Sequence, residues 1–151
     1  MARRFHGAPS SAWAVLMLVL LPIAACGSDA RSAPSDTQLQ TRSEGNFVLY
    51  VSDQSFALDH VDITIRIDGR VAVRDEFAVG NEHNWRQYRF QLDPGVHHLT
   101  AFSRDGRARL ASTFRVKEKL NGVVDYWYSP GNPGGGRKLT FTHTPNQIAF
   151  A

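Results

Sequence analysis

The chain has 151 residues, with 17 Lys and Arg against 14 Asp and Glu for a net charge of +3, and 42% of its side chains are hydrophobic. That length holds one ordinary domain, not several. A single cysteine excludes an internal disulfide, and the near-balanced charge lacks the strongly basic stripe that nucleic acid requires.

The first element is an apolar run behind a basic start. Arg3 and Arg4 precede "AWAVLMLVLLPIAA", Ala12 to Ala25, with no acidic residue before Asp29. The run is shorter than the ~20 residues a membrane-spanning helix needs. A basic start, a short apolar middle and small residues at the end form the pattern of a secretory signal. The rival reading, a buried core helix, is opposed by Pro22, which would break it.

The run ends Ile23-Ala24-Ala25-Cys26, and Cys26 is the only cysteine in the chain. This tetrad resembles the lipobox of bacterial lipoproteins: an aliphatic residue, two small residues, then Cys. The resemblance covers residues 1–26. It implies that a diacylglyceryl group is attached to the Cys26 sulfur, that residues 1–25 are removed, and that the new amino terminus is open to acylation. Each buried methylene of such an anchor contributes ~0.8 kcal/mol, so two or more chains hold stably where one does not. Gly27 follows the cysteine where enteric-type lipoproteins carry Asp as an inner-membrane retention signal. Either an outer membrane or the outer leaflet of the cytoplasmic membrane is therefore open.

Processing takes away two arginines and no acid, leaving 15 basic against 14 acidic side chains, a net +1. Residues 26–46 then read as the lipidated cysteine and a flexible linker. The stretch "GSDARSAPSDTQLQTRSEGN" has Leu39 as its one sizeable apolar side chain and cannot bury enough surface to fold. As a flexible chain it reaches ~25 Å.

From residue 47 to 151 the dominant period is two. "FVLYVS" alternates, and "VDITIRI" places Val61, Ile63, Ile65 and Ile67 on one face. "RVAVRDEF" follows after "IDGR". An Asp-Gly two-residue turn would set Ile65 against Ala72. A three-residue loop of Ile67, Asp68 and Gly69 instead pairs Ile65 with Val71, Ile63 with Val73 and Asp62 with Arg74. The register therefore predicts the three-residue loop. "WRQYRFQL", "VHHLTAFS", "ARLASTFRV", "GVVDYWY", "RKLTFTHT" and a short "QIAFA" read as further strands, with turns at Asp93–Gly95 and Arg104–Gly106. About eight short strands at this spacing predict an all-β fold: a single sandwich of about seven or eight antiparallel strands. In architecture alone the pattern is similar to immunoglobulin-like and fibronectin-like domains.

Chemistry is sparse. His97 and His98 are adjacent on a strand and point to opposite faces. His97 shares its face with Leu99 and Ala101 and reads as a partly buried histidine. His60 and His83 lie in loops. No G-x-S-x-G elbow occurs. Asp53, Asp59 and Asp62 lack the spacing of an EF-hand loop. The loop "SPGNPGGGRKLT" places Arg137 where a phosphate loop needs Lys, and it leads into a strand, not a helix. It reads as a mobile surface loop, with a lid over a binding face as the alternative. No metal or cofactor is expected.

The aromatics are the most suggestive feature. Trp127 shares an outward face with Asp125, and Trp85 lies opposite Tyr88 and Phe90, on the side of Gln87 and Arg89. Trp85, Arg89, Asp125 and Trp127 therefore form a candidate platform for sugar rings or a protein partner. The competing reading places both Trp residues in the sandwich core. The expectation is a lipid-anchored cell-envelope protein presenting a non-catalytic module that binds or scaffolds a glycan or an envelope protein. The alternatives are a subunit of an envelope or secretion complex, and a small secreted hydrolase or metal-binding protein. Oligomeric state is open.

Overall fold

The computed structural model describes residues 37–78 and 85–150. Cys26 and His83 lie outside the described residues. Eight strands form: β1 (Phe47–Asp53), β2 (Val61–Ile67), β3 (Arg70–Phe77), β4 (Arg86–Phe90), β5 (Gly95–Ser103), β6 (Ala108–Val116), β7 (Leu120–Trp127) and β8 (Lys138–Thr144). They make two four-stranded sheets, ordered β4-β1-β7-β8 and β3-β2-β5-β6. The all-β sandwich expected from the alternation is what forms. One pairing departs from the antiparallel expectation: β1 and β7 run parallel, Phe47 beside Leu120 and Asp53 beside Tyr126. Residues 147–150 of "QIAFA" form no strand.

The core lies between the sheets. Phe47, Leu49, Val51, Val124 and Tyr126 from one sheet meet Ile63, Ile65, Ile67, Leu99 and Phe114 from the other, all buried. Phe47 and Phe114 stack across the layers with ring centroids 4.8 Å apart. Burying such rings is the main stabilising term of a domain with no internal disulfide. Tyr126 closes one end, its hydroxyl donating to the Gly106 carbonyl at 3.0 Å. Gly106 has no alternative there, because a Cβ would sit 2.6 Å from the Tyr126 ring.

The β2–β3 connection differs from the expected loop. Asp68 and Gly69 both have positive φ, 50° and 78°, as in a two-residue type I′ turn, and Ile67 lies opposite Arg70. The register conflict that favours a three-residue loop is relieved one step later by a bulge. Arg66 faces Val71 but Ile65 faces Val73, so Ala72 is the extra residue. Ile63 consequently lies opposite Asp75, and Asp62 opposite Glu76.

The linker also enters the fold earlier than composition implies. Leu39 N–H donates to the Val71 carbonyl at 2.7 Å, and Val71 N–H donates to the Thr37 carbonyl at 3.0 Å. This short parallel bridge covers the β3 edge, and Leu39 is buried in the core.

Candidate functional site

β1 ends at Asp53, β7 at Trp127, and β8 begins at Lys138, so these residues share one end of a sheet. The chain leaves that end in two loops, residues 54–60 and 128–137. Between them opens a cleft of about 540 Å³, lined by Gln54, Phe56, Ala57, Trp127, Tyr128, Ser129, Pro130, Gly134, Gly135, Gly136 and Lys138. Phe56 is 66% exposed and Trp127 41% exposed, so two large aromatic side chains stand at its mouth. Concave, mainly apolar walls with a few polar groups are the usual form of a small-ligand site.

The walls are held by local hydrogen bonds. Asp53 Oδ1 accepts from Ser55 N–H at 2.8 Å. The Ser55 hydroxyl donates to the Tyr128 carbonyl at 2.9 Å, tying the two loops together. The glycine-rich segment turns on itself: Ser129 N–H donates to the Gly135 carbonyl at 2.9 Å, and Gly135 N–H to the Asn132 carbonyl at 2.9 Å. Gly131 and Gly134 adopt positive φ, 89° and 78°, which suits glycine alone without strain. The loop expected from composition is thus an ordered wall of the cleft. Arg137 anchors its far side, with its guanidinium 4.2 Å from the Tyr128 ring centroid and donating to the Asp105 carbonyl at 3.1 Å.

Beneath the cleft, Asp53 is 1% exposed and its Oδ2 has no hydrogen-bond partner. Burial pushes its pKa up to about 6, against the opposing pull of the Ser55 N–H.

The four platform residues divide. Trp85 and Asp125 come together: the indole N–H donates to Asp125 Oδ1 at 3.2 Å, and the Ser52 hydroxyl donates to the same oxygen at 2.7 Å. Gln54 Nε2 donates in turn to the Ser52 oxygen at 2.6 Å. Trp127 stands two residues beyond Asp125 on the same outward face. Arg89 does not join them. It pairs in register with Val48, towards the other end of β1, where it lines a wider cleft of about 1070 Å³ with Glu44, Lys117, Glu118 and Lys119. Acids and bases alternate there, and no aromatic side chain lines it.

Trp85 is neither core nor open platform. Phe150 stacks on it at 4.2 Å between centroids, and the same ring meets Tyr50 edge-on at 4.9 Å. Sequence reasoning misses Phe56, Tyr50 and Phe150. Phe56 carries a weak signal, as a lone large aromatic in a polar loop; the others emerge only when the sheet is assembled.

His97 is buried, as its face predicts. Its Nδ1 lies 2.7 Å from Asp68 Oδ2 and its Nε2 lies 2.8 Å from the Asp93 carbonyl. Two acceptors favour the doubly protonated ring. Burial lowers its pKa, but these bonds outweigh it and the net direction is upward. Asp68 shifts the opposite way: burial raises it, and the bonds to His97 and the His98 N–H bring it below the usual carboxylate value. The pair clamps two turns and leaves no ring nitrogen for a substrate. Among the described residues, no three His, Cys, Asp or Glu side chains gather in a way that would hold a metal.

The fold and this end-on aromatic cleft define a β-sandwich domain. Comparisons with protein-family models, curated proteins and solved structures found no match to the chain.

Proposed function

We propose that this chain is a lipid-anchored protein of the cell envelope, held through Cys26, whose sandwich is a non-catalytic module binding a glycan or an envelope protein at the Trp127 end. The observation that carries the reading is the exposure of Trp127 and Phe56 at the mouth of a formed cleft. Large aromatics left in water at a concave site cost solvation and supply contact area to a ligand.

The place where the chain joins the sandwich supports it. Thr37 and Leu39 bond to Val71, beside the β2–β3 turn and at the opposite end of the sandwich from Trp127. The described chain thus enters the sandwich at the end away from the cleft. Binding is favoured over catalysis because both His97 nitrogens face acceptors and Asp125 Oδ1 faces two donors, while Asp53, whose Oδ2 is unpartnered, is buried and does not line the cleft.

Two measurements test the proposal. Metabolic labelling with a palmitate analogue should mark the wild-type protein and not Cys26→Ser. Isolated cell envelopes should retain the purified, unlipidated mature chain carrying Cys26→Ser and lose the same chain carrying Trp127→Ala as well. Equal retention of both proteins would remove the cleft from the reading, and an unlabelled wild type would remove the anchor.

A further inference from the structure

We infer that the ligand of the Trp127 cleft is a sugar ring carrying an anionic substituent, stacked on the indole with its charge at Lys138. This rests on the glycan branch of the proposed binding function and narrows it.

Three observations lead there. First, the lining is one-signed. Lys138 is the only charged residue among the eleven that line the cleft, and no acid is among them. Its ammonium makes no hydrogen bond or ion pair within the described residues. An exposed lysine at a cleft wall with no partner is available to an anion.

Second, Trp127 and Lys138 are direct cross-strand partners on β7 and β8. Such partners hold their Cβ atoms ~4.5–5.5 Å apart on the same face. An indole and an ammonium group therefore extend from directly opposed positions on one face of the sheet. The C–H face of a sugar packs on the aromatic plane, and a carboxylate at the ring's edge reaches the ammonium. Hydroxyls have the backbone groups of Gly134 and Gly136 to meet, where no side chain stands in the way.

Third, neither neighbouring acid is aimed at the ligand: Asp53, beneath the cleft, is 1% exposed and does not line it. Asp125, two residues before Trp127 on that face, does not line the cleft, and its Oδ1 receives the Ser52 hydroxyl and the Trp85 indole N–H. Arg137 adds a second positive charge behind the wall, held over the Tyr128 ring. A bilayer surface, the other anionic partner that suits exposed aromatics and a cation, would need a convex tip. The aromatics here flank a concavity.

The test uses the mature chain and two tetrasaccharides of equal length. One contains only neutral N-acetylglucosamine, and the other alternates N-acetylglucosamine with glucuronate. Binding is followed by calorimetry and by Trp fluorescence at low and high salt. The acidic ligand should bind about tenfold tighter at low salt, and that margin should shrink as salt rises. Lys138→Gln should bring the two ligands within about twofold of each other, and Trp127→Ala should lose both. Circular dichroism verifies that each variant is folded, and Trp127→Phe, which keeps an aromatic plane, should retain measurable binding. Equal or tighter binding of the neutral ligand overturns the inference and leaves the glycan reading standing. Binding of neither saccharide, alongside Trp127-dependent envelope retention, overturns it in favour of a protein ligand. Trp127-dependent capture by anionic phospholipid vesicles, with no saccharide bound, overturns it in favour of a lipid surface.

Discussion

The Phe150 ring lies nearly flat against the Trp85 indole, centroids 4.2 Å apart and planes 23° from parallel. The tail that carries it starts at Asn146, whose carbonyl accepts from Asn121 Nδ2 at 3.0 Å. It crosses the outward row of Tyr50 and Val123 to reach Trp85. Val123 points away from the core and is still only 7% exposed. The chain thus covers half of its own aromatic face and leaves Trp127 open.

Phe150→Ala should therefore uncover Trp85. An aromatic pair contributes about 0.5–1.5 kcal/mol beyond its buried area, and Phe150 is 37% exposed. A loss of about 1–2 kcal/mol in unfolding free energy is expected. In a Trp127→Phe background, Trp85 is the only tryptophan left after Cys26. Its emission should shift to longer wavelength in Phe150→Ala. An unshifted spectrum would mean that the stack does not persist in solution.

The buried Asp53 carboxyl gives the protein an acid-side gain in stability. Its folded pKa is about 6 against an ordinary 3.8, so the folded state holds the proton more tightly than the unfolded state. Stability is then highest below the ordinary value, declines as pH rises towards 6, and stays at the lower level above it. A tenfold difference in proton affinity is worth ~1.36 kcal/mol, so the penalty at pH 7.5 is on the order of 3 kcal/mol. Asp53→Asn keeps an oxygen for the Ser55 N–H but places an amide where Oδ2 had no partner. A net gain of ~1–2 kcal/mol at pH 7.5 is expected, fading by about pH 5. Urea midpoints of both proteins at the two pH values measure it, and a gain equal at both would exclude ionisation of Asp53 as the cause.

The strands are legible because alternation is a direct imprint of a two-faced sheet. Ile63, Ile65 and Ile67 can face inward together only as a strand. The β2–β3 connection eludes the pattern for a physical reason: the two-residue turn is right, but the bulge at Ala72 that reconciles it with the hydrophobic face leaves no mark in composition. Leu39 is hidden in the same way, since one apolar residue in a polar stretch has no period and its burial depends on a distant edge at Val71. In the candidate site, the outward position of Trp127 follows from alternation around Asp125. The cover over Trp85 and the separation of Arg89 from the other three come from tertiary placement alone.

The His97–Asp68 clamp should set the alkaline limit of stability. The folded pKa of His97 is raised, so its contribution is complete below the ordinary value of 6.5 and is lost as pH climbs through the folded value. Asp68 works at the other limit: its lowered pKa gives a contribution present above 3.8 that is lost as pH falls through the folded value. His97→Gln removes the ring charge and should cost about 1–3 kcal/mol near pH 6. The gap to wild type should narrow as pH climbs through the raised folded value. A gap constant across that range in chemical unfolding would show that the ring acts only through packing.

Leu39 decides where the domain begins. If residues up to 46 were all tether, Leu39→Ala would be silent. Its side chain is instead 5% exposed and packed in the core, and truncating a buried leucine costs about 2–5 kcal/mol. Removing residues 26–40 takes the same contact away along with both backbone bonds to Val71, and so also uncovers the β3 edge. The point variant should lower the urea midpoint with an unchanged slope. The truncated chain should show the larger loss and a tendency to associate through the bared edge, visible by size-exclusion chromatography with light scattering. A truncated chain as stable and as monomeric as the mature protein would return Thr37–Leu39 to the tether.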